Sequence, residues 1–192
     1  IQRALLKLPI GAGESATIST GDVQAQRAFF FPDNRHILLV GSQSGHGLGL
    51  WVLNSEGGAA EALGPEGAMV RRRQCISPDG KQIAARDPEG HITIYMVSGG
   101  KSFLVPNTQP GEEPLQWTAD AKALLVGRRE IPARVFVINL TSKERKLLKP
   151  FMPADPTGLF GNGSPTFSSN LKSYVYNYQR ITSDLYVVDG LK

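Results

Sequence analysis

The sequence predicts an all-β fold: a β-propeller of four-stranded antiparallel blades, four of them visible in 192 residues. The expectation rests on a turn-forming segment that recurs four times and on an apolar strand that follows each copy. It rests also on the lack of any convincing amphipathic helix.

The recurring segment is seen in Pro32-Asp33-Asn34, Pro78-Asp79-Gly80, Ala119-Asp120-Ala121 and Ser169-Asn170-Leu171, spaced roughly 40 to 50 residues apart, as propeller blades are. Three residues before each central Asp or Asn stand Phe30, Ile76, Trp117 and Phe167, and two after stand Arg35, Lys81, Lys122 and Lys172. Four and six after come the pairs Ile37/Leu39, Ile83/Ala85, Leu124/Val126 and Tyr174/Tyr176. Apolar residues two apart describe a strand with one buried face. The segment itself is a turn. Ser77, Pro78 and Gly80 take the first, second and fourth places of a type I turn, and the Asp79 carboxylate accepts bonds from nearby backbone N–H groups. Ser77, Asp79 and Lys81 therefore read as turn residues, with Lys81 opening the next strand toward solvent, and not as a catalytic cluster.

A further strand follows each turn-and-strand unit: Leu50–Leu53, Ile94–Val97, Val135–Ile138 and Leu185–Val188, each with an aromatic residue second. Such density fits a central strand buried on both faces. Weaker outer strands follow in "EALG", "KSFLV" and "RKLLKP". The blades span about 23–64, 69–106, 112–150 and 163–192. The last lacks a fourth strand, and Arg3–Pro9, similar to Arg145–Pro150, is expected to supply it. Two geometries follow: a closed ring of four blades, or part of a larger propeller, which the non-methionine start Ile1 favours. An open fragment would leave edges for pairing, with a homodimer as one outcome.

Composition narrows the function. Net charge is +4 with three consecutive arginines as the one dense cationic cluster, so no nucleic-acid contact is expected. The single cysteine, Cys75, excludes an intrachain disulfide or a cysteine-based metal site and reads as a small core residue. No apolar run is long enough to span a membrane, no signal peptide is visible, and the compartment stays open. His36, His46 and His91 lack metal-ligand spacing. The Gly41–Gly47 loop has serines and a histidine but not the spacing of a nucleophile elbow, and Gly11–Ser15 falls short of a phosphate loop. No cofactor, metal or catalytic residue is assigned.

The large apolar residue, then "SPDGK", then alternating apolar residues resembles the WD40-like PD40 repeat. That repeat occurs in TolB-like propellers and in propellers joined to prolyl-oligopeptidase-type hydrolases. The closing segment Tyr174–Lys192 resembles the end of bacterial regulators in which a PD40 propeller follows a Ser/Thr kinase or a winged-helix domain. The resemblance implies a non-catalytic module that binds or senses a protein or small ligand within a signalling protein. The alternative is a propeller gating a hydrolase domain. In propellers the first strand of each blade lines the central channel, which places Arg27, Arg71 and Arg73 there, with Arg71 and Arg73 on one strand face. Such a patch suits a carboxylate or phosphate; a salt-bridged face with Glu112 and Glu113 is the plainer reading. The loops between second and third strands carry Arg86, Arg128, Arg129 and Arg180, and these seven arginines form the candidate partner site.

Overall fold

The computed structural model describes residues 5–183. The expected strand Leu185–Val188 lies outside them. The leading hairpin pairs β1 (Leu5–Lys7) with β2 (Ala16–Ile18). The first blade is a sequential antiparallel meander of β3 (Gln24–Phe30), β4 (His36–Ser42), β5 (Gly49–Asn54) and β6 (Glu61–Leu63). The second holds β7 (Gln82–Arg86), β8 (Ile92–Met96) and β9 (Phe103–Leu104). Its innermost segment is irregular: isolated bridges join Met69 to Arg86 and Ile76 to Ile83, and a 3-10 turn at Arg73–Cys75 lies between. The third blade is a full meander of β10 (Glu113–Trp117), β11 (Ala123–Gly127), β12 (Ala133–Asn139) and β13 (Arg145–Phe151). In the fourth, β14 (Leu159–Asn162) pairs with β17 (Tyr178–Arg180), and β15 (Thr166–Phe167) with β16 (Tyr174–Val175). That 3-10 turn is the only helical element among the described residues, and none is long and apolar enough to cross a membrane.

The turn between first and second strands repeats atom for atom. In the second blade the Ser77 hydroxyl donates to Asp79 Oδ1 at 2.6 Å and accepts the Gln82 N–H at 2.9 Å, while Asp79 Oδ1 accepts the Lys81 N–H at 3.1 Å. Thr118 with Asp120, and Ser168 with Asn170, make the same bonds. The residue after each anchor is left-handed: φ is 57° at Asn34, 71° at Gly80, 56° at Ala121 and 57° at Leu171. Only Gly80 adopts this without steric cost.

The first blade has Phe31 where the others have a hydroxyl. His36 takes over, its Nδ1 lying 2.6 Å from Asp33 Oδ2, and this bond holds the Asp33 carboxyl down at about 2. A carboxyl depressed in the folded state stabilises above its ordinary range and loses that contribution as pH falls through its folded value. The turn should therefore weaken between pH 3.8 and about 2. In His36→Phe the Asp33 midpoint is expected to rise toward the ordinary value, read from the carboxyl carbon by NMR; an unmoved midpoint would assign the depression to the backbone N–H groups.

Four apolar cores lie between successive sheets, not within them. Ile37, Leu39 and Leu53 face Ile18 and Val23; Leu38 and Val40 face Ile83 and Ala85. Ala84 and Ile94 meet Trp117, Leu124 and Val126, and Leu115, Leu125 and Phe151 meet Phe167. The second strands of the first three blades are thus buried on both faces, in place of the one expected, and β11 is buried along its whole length; β16 in the fourth blade is exposed. The third strands, expected to be buried on both faces, are so in β8 but only partly in β5 and β12. Trp51 and Val52 in β5 are half-buried. Within the 3–9 segment expected to close the last blade, Leu5–Lys7 instead pairs with Ala16–Ile18, and Leu5 packs on the first blade's core. The hairpin occupies the place of the outer half of a preceding blade, since β2 leads into β3 as β6 leads into the second blade.

One buried ion pair locks the entry to the third blade. Glu112, 2% exposed, takes two bonds from Arg145 on β13, at 2.6 and 2.9 Å. The same guanidinium lies 3.7 Å over the Phe136 ring and donates to the Asn107 carbonyl at 2.9 Å.

Candidate functional site

The loops between second and third strands, and the starts of the first strands, share one face of the propeller. Here the three consecutive arginines separate. Arg71 Nε lies 3.4 Å from Glu113 of the third blade. Arg72 reaches across the channel to the fourth blade, donating to the Pro165 carbonyl at 3.3 Å, to the Thr166 hydroxyl at 3.4 Å and to the Ser164 carbonyl at 3.5 Å. Arg73 turns to the first blade, where its Nε donates to the Phe30 carbonyl at 3.0 Å. Arg71 and Arg73 therefore do not share a face. The 3-10 turn at Arg73–Cys75 breaks the alternation a regular strand would impose.

The remaining candidates divide the same way. Arg86 joins Arg71, Glu113 and Met69 around a cavity of about 60 Å³. Arg128 pairs with Glu130 at 2.7 Å, and Arg180 with Asp155 at 3.2 Å while donating also to the Asp155 carbonyl. Both are thereby paired within the protein. Arg27 is exposed on β3. Arg27, Arg86 and Arg129 have no carboxylate partner among the described residues.

Arg129 stands at the edge of a larger cleft of about 650 Å³ between the third and fourth blades. This is where the strand ladder of the fourth blade breaks. Gly163–Pro165 separates β14 from β15, and Tyr176–Asn177 separates β16 from β17. The Gly163 N–H donates to the Asn177 carbonyl at 2.8 Å, and the Asn177 side-chain oxygen sits where a Cβ on Gly163 would be. A Cβ there would displace the Asn177 side chain from this position. The opened strands present Asn177 and Gln179 to the cleft beside the exposed ring of Phe160, and Arg72 closes its channel side. Asn162 donates to the Phe151 carbonyl at 2.8 Å, while its Oδ1 has no partner.

The acid in this wall is Glu130. The Arg134 guanidinium, donating at 2.8 and 3.1 Å, with Arg128 beside it, holds its carboxyl down to about 2. Such a group stays ionised at neutral pH and does not shuttle protons there. Cys75 is buried, and burial pushes its thiol up to about 12, so it is inert. The cleft offers a cation, side-chain amides and an aromatic surface, which are groups that bind.

Sequence reasoning missed Arg72, Asn162, Asn177 and Gln179. Alternation singles out Arg71 and Arg73, on a segment that is not a regular strand. The signals for the others were the glycine-rich "GNGS" at 161–164 and the polar Asn177 between two tyrosines.

No family model and no curated protein matches the chain. Solved structures do. TolB from Acinetobacter baumannii is similar at 18% identity and a TM-score of 0.59, over 84% of this chain and 39% of that one. A putative TolB from Agrobacterium tumefaciens is similar at 17% identity and a TM-score of 0.55, over 90% and 67%. The tricorn protease is similar at 9% identity and a TM-score of 0.57, over 84% and 16%. The chain thus spans about two fifths of the Acinetobacter protein and a sixth of the protease. The fold is that of the TolB-like β-propellers.

Proposed function

We propose that this propeller is a non-catalytic binding and sensing module of a bacterial signalling protein, and that it takes an acidic ligand or protein segment at the mouth of its channel. The observation that carries this reading is the cleft between the third and fourth blades, where the ladder opens beside Arg129. A cation without a carboxylate partner, next to amides and an apolar ring, suits a ligand with anionic and hydrogen-bonding groups. The locked state of Glu130 and the burial of Cys75 support binding over catalysis.

A hexaglutamate peptide tests it. Titrated at low salt and followed by NMR, it is expected to shift resonances around Arg129, Asn177 and Gln179, and to release as salt is raised. Arg129→Ala is expected to weaken binding roughly fivefold to tenfold. Absence of binding at low salt, or an affinity indifferent to Arg129, would sink the reading.

The likeness to the tricorn protease favours a second one, a propeller accompanying a hydrolase. A catalytic domain encoded beside this segment in its gene would decide for it.

A further inference from the structure

The opposite mouth of the channel, where the turns between first and second strands gather, carries a separate cavity of about 320 Å³. Its rim is one column of the repeat: Pro32, Pro78, Ala119 and Ser169, the residue before the anchor in each of the four blades. The repeat thus places four short, exposed side chains around a single opening. The wall behind them is largely apolar, with Ile76 6% and Trp117 3% exposed, and Gln74 and Gln116 also line it. The Trp117 indole N–H is already donated to the Cys75 carbonyl at 2.8 Å, so its ring meets the cavity as an apolar surface.

The charged group in this cavity is Arg73. Its Nε bond to the Phe30 carbonyl, at 3.0 Å, orients the guanidinium, while both Nη groups lack a partner among the described residues. None of the residues lining the cavity is acidic. Asp79 and Asp120, one residue beyond the rim, are turned into their own turns by the hydroxyls of Ser77 and Thr118.

A largely apolar wall, a guanidinium held by one edge with the other open, and no competing carboxylate match one ligand class. We propose that this mouth is a binding site for small apolar monocarboxylates, the aromatic or branched aliphatic part lying on Trp117 and Ile76 between the prolines, and the carboxylate on the Nη groups of Arg73. This site is independent of the acidic-ligand cleft on the other face.

Phenylacetate is the probe, with neutral phenylacetamide as its control, titrated into the intact protein and followed by amide and indole NMR. Saturable shifts are expected at Arg73, Ala119 and the Trp117 indole N–H, with the amide binding about tenfold more weakly. Arg73→Gln is expected to weaken phenylacetate about tenfold. Because that variant also loses the bond to Phe30, Ala119→Trp serves as a second: it fills the opening, leaves Arg73 intact, and should abolish the shifts. Equal binding of acid and amide would overturn the proposal. So would binding that survives Ala119→Trp, shifts centred on Arg129, or no binding to the unaltered protein.

Discussion

Replacing Glu112 with alanine is expected to destabilise the propeller by about 3–5 kcal/mol, because it leaves the Arg145 guanidinium without its counter-charge. The site is nearly closed to water, with side-chain exposures of 3% for Glu112 and 17% for Arg145, so solvent offers little compensation. The carboxylate also accepts the Gln109 N–H at 2.7 Å, which fixes the connection into β10. Loss of the acid therefore frees a backbone donor as well as a cation. For a chain of this size the melting midpoint should fall by roughly 6–20 °C, measured by thermal and urea denaturation. The double variant Glu112→Met with Arg145→Met removes both charges together and is expected to recover most of the loss. A decrease under about 1 kcal/mol in the single variant would mean that the pair behaves as a surface bridge.

Phe151→Ala is expected to cost a similar amount, about 3–5 kcal/mol, but to act on one seam. Phe151 is 1% exposed at the end of β13. Its ring meets Phe167 and Tyr174 edge-on at centroid distances of 5.7 and 4.8 Å. Without it the fourth blade keeps a few polar ties, from Arg72 and from Gln116, whose Oε1 accepts the Phe167 N–H at 3.3 Å. Limited proteolysis should then cut within residues 152–183 well before the first three blades yield. Uniform loss of protection across all blades would show that the fourth does not open separately. The same variant should weaken hexaglutamate binding at the cleft, and it should also loosen the phenylacetate mouth on its Ser169 side.

The repeat was legible because its turn needs particular chemistry. A hydroxyl, then an Asp or Asn, then a left-handed residue recur at Ser77–Gly80, Thr118–Ala121 and Ser168–Leu171, and the apolar alternation keeps phase with them. Burial on both faces of the second strands in the first three blades was less visible. Alternation at Ile37 and Leu39 reports only the face toward the leading hairpin; the face formed by Leu38 and Val40 is buried by the next blade, a long-range fact. The site was harder still. Where Arg71, Arg72 and Arg73 point depends on a 3-10 turn that three like residues do not signal. The cleft exists because two paired strands break together, and neither break is apparent until Gly163 is seen against Asn177.

The placement of the cores between sheets has a mechanical consequence. Apart from the Arg72 bonds to the fourth blade, each sheet packs on its neighbours, so cooperativity runs from blade to blade, as in a stack of coupled units. The fourth blade, with its interrupted ladder, is the unit expected to open first. A ligand seated in the cleft between it and the third blade would raise the free energy of that opening by mass action. Occupancy would then be registered as the fraction of time one blade stays docked, a signal that requires no hinge and no displacement of the remaining blades.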